Sequence, residues 1–505
     1  KLREMGTIAI PGDMLDVDSV TEGALAEDMY WRSGQRILAA AKMIMTDNRL
    51  FSIYITNFGC GPDSMITHFY KDVSSGKPFL QLEIDEHSAD AGAITRCEAF
   101  LDSIRNTKGR LRIEVREKQV LDRSGIKKKL YLPNMSDGVH GIAAAFRACG
   151  LDAEVMPEPD EDSLKWGRRY TSGRECYPAI LTTGDMVKVL KREGFDPKRS
   201  AFFMPSGNGP CRFGQYNRYH RLILDELGFQ DVPVYAPDQD GNFYRELNIV
   251  EGNFPRLGWW GIAGIDLLEK RLREVRPYEK NPGDAEKVYW EFVHKICDAV
   301  TAKRFPEKEL REAKEAFRRV PVTAHGGRPI IGVVGEIYVR SNRFSNENMV
   351  KKLEALGAEV RMPTIGEWIY YTNFCNKRKT WARGQYTDYL RTIASDFVQR
   401  KDEKKMESII NGDMRSGHEP PVKEIIDRAA PYIHDSFEGE AVLSVGKSLD
   451  YIAHGCHGIV NAMPFTCMPG TIVNAVLKRL RENNQNIPYL HMVYEGAEDT
   501  NSMTR

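Results

Sequence analysis

The chain has 505 residues, which is more than a single hydrophobic core usually serves, so several domains are expected. Its 71 basic and 71 acidic residues cancel, and a protein without a basic excess is not expected to bind nucleic acid. The apolar runs are far shorter than the roughly 20 residues that span a bilayer, so no membrane association is predicted. Nine cysteines without an export signal indicate reduced thiols in the cytoplasm.

Short apolar segments that end in Gly, Pro, Ser or Asn alternate along the chain with amphipathic helical segments. This alternation predicts an α/β fold of repeated Rossmann-like (flavodoxin-like) parallel-sheet domains with helical insertions. The predicted strands are 50–56, 79–84, 129–132, 201–204, 232–235, 329–334, 459–463 and 488–493. The predicted helices between them are 29–45, 141–149, 216–227, 348–356 and 471–481.

Two charged stretches without strand signals predict the helical insertions, and together with the strands they divide the chain into four segments. The predicted segments are an α/β unit at 1–110 that is part of a larger domain, a Rossmann-like domain at 111–256, a helical insertion or linker at 257–325, and a second Rossmann-like domain at 326–505 with a helical insert at 366–433. The first contains Cys60, the second Cys176 and Cys211, and the last Cys467.

An internal repeat surrounds three of these cysteines. Cys60 and Cys467 both stand in a Phe-x-Cys-x-Pro sequence, and each is followed by a predicted helix and then by a strand that starts near a proline. Cys211 heads a looser copy of the same unit. The chain therefore repeats a strand, a cysteine loop, a helix and a strand.

Cys60, Cys176, Cys211 and Cys467 each lie in a loop with Gly or Pro just before a predicted helix. Backbone N–H groups and the positive end of the helix dipole favour the thiolate there, which is the form that ligates an iron–sulfur cluster. Parallel sheets gather such loops at one edge, so the four sulfurs are expected to converge.

The alternatives are buried hydrophobic cysteines or a structural zinc site, although zinc usually draws on close Cys-x-x-Cys pairs, and the chain has none. Cys456 is a further candidate ligand, whereas Cys97, Cys149, Cys297 and Cys375 are predicted to be structural. The loop arginines Arg174, Arg212 and Arg340 could bind a phosphate, but pairing with acidic neighbours such as Glu175 and Glu336 is the favoured interpretation.

Six segments together resemble the signatures of a known family. They are NFGCGPDS at 57–64, DEHSAD at 85–90, GRECYP at 173–178, GPCRFGQY at 209–216, GEIYVR at 335–340 and PFTCMPG at 464–470. The chain resembles, over nearly its whole length, the large activase-associated proteins of the 2-hydroxyacyl-CoA dehydratase and benzoyl-CoA reductase superfamily, which are related to double-cubane cluster proteins. The chain begins partway into the sequence pattern of this family, so it is expected to be a fragment of a longer polypeptide.

The resemblance implies an iron–sulfur component of an oxidoreductase or lyase of anaerobic metabolism. A partner activase would hydrolyse ATP and deliver electrons of low potential to this component, which would reduce a bound substrate such as an acyl-CoA. Cys60, Cys176, Cys211 and Cys467 are the implied ligands of a four-iron four-sulfur cluster, and a double cubane would need more ligands, Cys456 among them. A homodimer or heterodimer is implied, and no catalytic residue is predicted. The alternative function is a non-catalytic cluster carrier or assembly scaffold.

Overall fold

A computed structural model describes residues 2–19, 29–57, 59–85, 87–88, 90–107, 129–207, 209–237, 253–323, 326–410, 412–415 and 419–496. The predicted boundary at 110/111 and the first and last residues of the chain lie outside these ranges. None of the helices within these ranges is long and apolar enough to cross a membrane.

The strands form three sheets in which every pairing is parallel. The strands are β1 (Ser52–Thr56), β2 (Phe79–Glu83), β3 (Lys129–Leu132), β4 (Ala153–Val155), β5 (Ser200–Phe203), β6 (Val234–Tyr235), β7 (Ile330–Gly335), β8 (Glu359–Arg361), β9 (Gly458–Pro464) and β10 (Tyr489–Tyr494). Strands β1 and β2 form a two-stranded sheet, and the other two sheets have four strands each. The predicted α/β class with repeated parallel sheets is confirmed.

Both four-stranded sheets have the same strand order. It is β4-β3-β5-β6 in one sheet and β8-β7-β9-β10 in the other, so the first strand of each sheet lies between its second and third. This is the flavodoxin-like order, in which ligands bind where the connections diverge at the carboxyl ends of the strands. Every residue of β5 and β9 is buried, as expected for central parallel strands covered on both faces.

Seventeen α-helices occur within the described ranges. They are α1 (Arg32–Thr46), α2 (Gly61–Val73), α3 (Asp90–Thr107), α4 (Gly138–Ala148), α5 (Glu161–Tyr170), α6 (Tyr177–Leu190), α7 (Tyr216–Glu226), α8 (Phe254–Val275), α9 (Asp284–Thr301), α10 (Glu307–Arg319), α11 (Ile337–Ser341), α12 (Met349–Ala355), α13 (Ile365–Ala382), α14 (Tyr386–Ile410), α15 (Val422–Ala429), α16 (Glu440–Ala453) and α17 (Met468–Asn483). The predicted helical insertions correspond to α8–α10 and α13–α15.

The helical segment α8–α10 is part of the main core rather than a free linker. Leu268 of α8 is fully buried in the same hydrophobic cluster as Leu130 of β3 and Val473 of α17. Helix α8 also approaches α4 very closely, because a Cβ on Gly261 would lie 2.5 Å from the Cα of Gly141. The segment therefore joins the two four-stranded units through one continuous core.

The predicted repeat is present as three copies of one supersecondary unit. The copies are β1-α2-β2, β5-α7-β6 and β9-α17-β10, and the two strands of each copy pair in parallel. The cysteine loops Cys60, Cys211 and Cys467 follow the first strand of each copy. The fold thus places all three loops at carboxyl ends of strands, as the sequence predicts.

Candidate metal centre

Each of the four predicted cysteines is the residue directly before a helix. Cys60 precedes α2, Cys176 precedes α6, and Cys467 precedes α17, each with a proline in the first turn. Cys211 precedes a short 3-10 helix that continues into α7. Cys176 and Cys467 are buried, whereas Cys60 and Cys211 are partly accessible.

One buried arginine connects the four cysteine loops. The guanidinium of Arg212 donates to Ser64 Oγ at 3.1 Å, to the Arg174 carbonyl at 3.1 Å, and to the carbonyl and hydroxyl of Thr466, both at 3.0 Å. These acceptors lie in the first turn of α2 after Cys60 and in the loops of Cys176 and Cys467, and Arg212 itself follows Cys211. The structure therefore brings the four predicted residues together around one cation.

Arg212 is a buried positive charge without an acidic partner. Arg212 is only 6 % exposed, and among the described residues no carboxylate lies within ion-pair distance of its guanidinium. Its charge acts on all four sulfurs, lowering the thiol pKa at Cys60, Cys176 and Cys467, while Cys211 in turn raises the pKa of the guanidinium. The predicted pairing of Arg212 with an acidic neighbour is wrong, whereas Arg174 does pair with Glu83.

Burial dominates the protonation of the four thiols. It raises the pKa of each above its ordinary value, so the cysteines are neutral in the absence of a ligand. A backbone N–H opposes this at every site; these groups belong to Asp63, Ala179, Phe213 and Gly470. None of the cysteines makes a cap hydrogen bond of standard geometry, but these N–H groups face the sulfurs and favour the thiolate.

The loop of Cys176 is fixed by an internal carboxylate. Glu175 accepts hydrogen bonds from the backbone N–H of Ser172 and Arg174 at about 3 Å, and its oxygen also contacts the His68 ring of α2. Although burial opposes ionisation, His68 and the loop donors lower the pKa of Glu175 to about 2. On the other side, the Cys176 sulfur lies 2.5 Å from the hydroxyl of Tyr216. The thiol is thereby held between the first unit and α7.

The loop of Cys467 contains a strained residue. Thr466 has a φ of 58°, in the left-handed region that a β-branched residue rarely adopts. Both its carbonyl and its hydroxyl accept from Arg212, which stabilises this backbone conformation. This loop lies next to Cys60: the Thr466 carbonyl oxygen is 3.6 Å from where a Cβ of Gly61 would be.

Two carboxylates that the sequence did not single out as site residues lie near the cysteines. Glu336 follows β7 and accepts from two backbone N–H groups of α11, while Glu440 begins α16 and accepts from the Ile337 N–H. Burial, and to a smaller extent the negative charge of Glu336, raise the pKa of Glu440 to about 8. Both carboxylates act electrostatically on Cys467. The site therefore combines four thiols, one cation and an acidic pair.

Cys456 lies apart from this group. It precedes β9, whereas Cys467 follows it, and seven strand residues span roughly 20 Å. Its neighbours are Val334, Tyr451 and Ile459 in a small hydrophobic cluster, and burial raises its pKa to about 11. The remaining four cysteines, Cys97, Cys149, Cys297 and Cys375, lie on α3, at the end of α4, on α9 and on α13.

The donor set matches a cluster ligated by cysteines. Gln215, directly before Tyr216 in the sequence, has a fully buried amide that makes no hydrogen bond to a described residue. The uncompensated charge of Arg212 fits an anionic ligand. Within the described ranges, no three His, Cys, Asp or Glu side chains form a ready-made site for a single metal ion.

Comparison with known proteins assigns no family to the chain. No family model matches it, and no curated protein is significantly similar to it. The resemblance drawn from the six sequence segments therefore stays a prediction.

The sequence did not reveal Arg212 as the centre of the site. Its position next to Cys211 was a usable signal, because a cation beside a cysteine favours the thiolate. The sequence contains no such indication for Glu440. Acidic residues are common at the start of helices, where the helix dipole stabilises them.

Proposed function

We propose that this protein is an iron–sulfur component that accepts electrons of low potential from an ATP-hydrolysing activase and reduces a bound substrate. Cys60, Cys176, Cys211 and Cys467 are the proposed ligands. The proposed substrate class is the acyl-CoA thioesters, the proposed assembly is a homodimer or heterodimer, and the proposed location is the cytoplasm. All nine cysteines are free thiols, which agrees with a reducing compartment.

The observation that carries the proposal is the convergence of four cysteine loops on Arg212. A buried guanidinium without a carboxylate is costly, because it has lost its water and has no countercharge. A four-iron four-sulfur core together with its four thiolate ligands has a net negative charge, which would supply that countercharge. A set of thiols that served only as core residues would not need a cation among them.

The number of ligands favours one four-iron four-sulfur cluster over a double cubane. Four cysteines surround Arg212, and Cys456 is separated from Cys467 by the whole length of β9. A double cubane would need about two further ligands from outside this group. When bound, such a cluster supplies one-electron transfer at low potential.

The chain's own residues have distinct parts in this arrangement. Arg212 balances the negative charge and ties three loops together by hydrogen bonds. Glu175 orders the loop that presents Cys176, and Tyr216 donates to or accepts from its sulfur. Cys60 and Cys211 are partly accessible, so we expect an electron donor to approach the site past these two residues.

A cluster carrier or assembly scaffold is the second candidate. Four cysteines are enough to ligate every iron of a four-iron cluster, which would leave no iron open to a substrate. A cleft of about 610 Å³ lies between the two four-stranded units and is lined by residues such as Trp290 and Arg343, but it contains none of the four cysteines. Both points favour a carrier.

The test is iron and acid-labile sulfide content, with an electron paramagnetic resonance spectrum, on protein prepared without oxygen. We expect about four irons and four sulfides per chain, lost in the Cys60→Ser, Cys176→Ser, Cys211→Ser and Cys467→Ser variants. Cys297→Ser is the matched control, because Cys297 is buried like Cys176 and Cys467 but lies on α9. Zinc without sulfide would overturn the proposal.

A second assay separates the two candidate functions. The loaded protein is reduced with titanium(III) and offered either a 2-hydroxyacyl-CoA or an apo-ferredoxin. Loss of water from the thioester, or oxidation of the reduced protein by it, supports the enzyme, whereas transfer of iron and sulfide to the apo-ferredoxin without reaction of the thioester supports the carrier.

A further inference from the structure

Helix α14 has a buried side in its second half and an exposed apolar side in its first half. Its inner face is buried through Gln399, Asp402 and Met406, which are at most 6 % exposed. Trp259 of α8 donates to the Gln399 carbonyl at 2.9 Å, which fixes this side against the core. A continuous apolar surface on the other side of the helix is expected to be covered by a partner.

The outer face carries a stripe of exposed apolar side chains. The stripe consists of Tyr386, Leu390, Ile393 and Phe397, which are 58, 63, 39 and 68 % exposed. Trp381, at the end of α13, extends it by packing against the Tyr386 ring at 5.5 Å. Side chains spaced by four, three and four residues line one side of a helix, so the stripe is continuous over about 16 Å.

The spacing of the stripe is the same in both directions. Read from either end, the intervals are four, three and four residues. An antiparallel second copy of the helix, related by a two-fold axis between positions 391 and 392, would place Leu390 against Ile393 and Tyr386 against Phe397. The same surface can therefore serve as its own partner, which is the requirement for a two-fold interface.

The charges beside the stripe do not oppose this pairing. Residues 386–400 contain two acidic and two basic side chains, so the surface has no net charge. Arg391 pairs with Asp388 at 3.1 Å, and Arg400 pairs with Asp396 at 3.0 Å. Arg400 also lies over the Tyr370 ring of α13, which directs its charge away from the stripe.

The exposed apolar area is a substantial part of what a dimer interface needs. An aromatic side chain offers about 150–250 Å². Trp381, Tyr386 and Phe397 each remain about 60 % exposed, so these three alone present roughly 370 Å². That is nearly half of the about 800 Å² that each partner contributes to a standard interface, before Leu390 and Ile393 are added.

We propose that the α14 stripe is a homodimer interface in which α14 packs antiparallel against α14 of a second copy of this chain. This surface is independent of the cysteine site. Trp381 of each copy would lie at the two ends of the interface, and Leu390 and Ile393 would form its centre.

The test is the molar mass of the full chain in solution, measured by light scattering during size-exclusion chromatography. We expect a dimer at about 50 µM and a rise in Kd of about 30-fold or more for Leu390→Glu, which places a charge at the centre of the interface. Leu356→Glu is the matched control, because Leu356 is 66 % exposed at the end of α12, outside the stripe. It should leave the dimer intact.

Cross-linking tests the antiparallel arrangement. The double variant Leu390→Cys with Ile393→Cys should form intermolecular disulfides on mild oxidation, and each single variant should form far fewer. A monomeric wild-type chain at 50 µM, a dimer that persists in Leu390→Glu, or equal cross-linking in single and double variants would overturn the proposal.

Discussion

Arg212 is the residue on which the candidate site depends most. Its guanidinium makes hydrogen bonds to residues 148 and 254 positions away in the sequence. It therefore connects segments that are far apart along the chain. Its charge is buried without a carboxylate within the described ranges, and such a charge is tolerated when a ligand compensates it. Charge and position are thus two separable functions of one side chain.

Arg212 variants separate those two functions. Arg212→Met should reduce cluster content to roughly half or less, because both the countercharge and the hydrogen bonds to the loops are lost. Arg212→Lys keeps the charge but not the forked geometry, so we expect an intermediate iron content. Iron and sulfide analysis is the measurement, and Arg192→Met, which breaks only a surface pair with Glu154, is the control. Full iron content in Arg212→Met would contradict this role.

His220 is a buried histidine whose protonation should make stability depend on pH. Burial lowers its pKa to about 3, from an ordinary value of about 6.5. The unfolded chain therefore takes up a proton on this ring as the pH falls below about 6.5, whereas the native chain does not until about pH 3. The stability contributed by the neutral ring is complete above pH 6.5 and is lost as the pH falls toward 3.

The His220→Gln variant should have a flatter dependence of stability on pH. Between pH 6 and 4 we expect the slope of the unfolding free energy to fall by up to about 1.4 kcal/mol per pH unit, which corresponds to one proton. Urea unfolding at several pH values measures it. His434→Gln, at a side chain that is 77 % exposed, should keep the original slope. Equal slopes in all three proteins would show that His220 is not the proton acceptor.

At the scale of helices and strands, most of the fold was predictable. Long apolar strands such as β7 and β9 have a strong signal, as do the amphipathic helices between them. Strands β4 and β8 were missed, because each has only three residues and includes charged side chains such as Glu154 and Glu359. These are edge strands, which pair on one side and carry little of the apolar pattern.

The candidate site was predictable only in part. Which cysteines precede helices could be read from Gly and Pro beside them, since helix starts have local signals. That they meet at Arg212, with Glu336 and Glu440 nearby, depends on contacts between distant segments, which a single sequence does not encode locally. The sequence likewise left Cys456 open, whereas the length of β9 separates it from Cys467.

The crossing of α4 and α8 gives a prediction at the same scale. Gly261→Ala would place a Cβ 2.5 Å from Gly141, so the two helices must move apart, at a cost of about 1–3 kcal/mol. Gly258→Ala is the control on the same helix, because its Cβ would meet nothing closer than 3.9 Å, and the gain in helix propensity is about 0.5–1 kcal/mol. Thermal unfolding should show a lower Tm for the first variant and an equal or higher Tm for the second. The reverse order would contradict the close crossing.

At the scale of the whole molecule, the helical segment α8–α10 decides where the chain can be divided. Helix α8 contacts the last domain through apolar side chains in the main cluster and through polar side chains. Asp266 accepts from the Gly366 N–H at 2.8 Å, Trp260 donates to Asp402 at 2.7 Å, and Lys270 pairs with Glu419 at 2.8 Å. The helices before the predicted boundary at 325/326 therefore share a core with the domain that follows it.

A fragment of residues 326–496 should consequently fail to fold as a stable unit. It lacks Leu268 and the other α8–α10 side chains that fill the main cluster, and it removes the donors Lys270 and Trp260 from Glu419 and Asp402. A fragment of residues 129–496 keeps both four-stranded sheets and the helices between them, and we expect it to unfold in a sharp thermal transition. It should nevertheless bind less iron than the full chain, because Cys60 and the Ser64 acceptor of Arg212 are missing. Near-ultraviolet circular dichroism, dye binding and iron analysis measure these outcomes, and a sharp transition in 326–496 would show that α8–α10 is a linker after all.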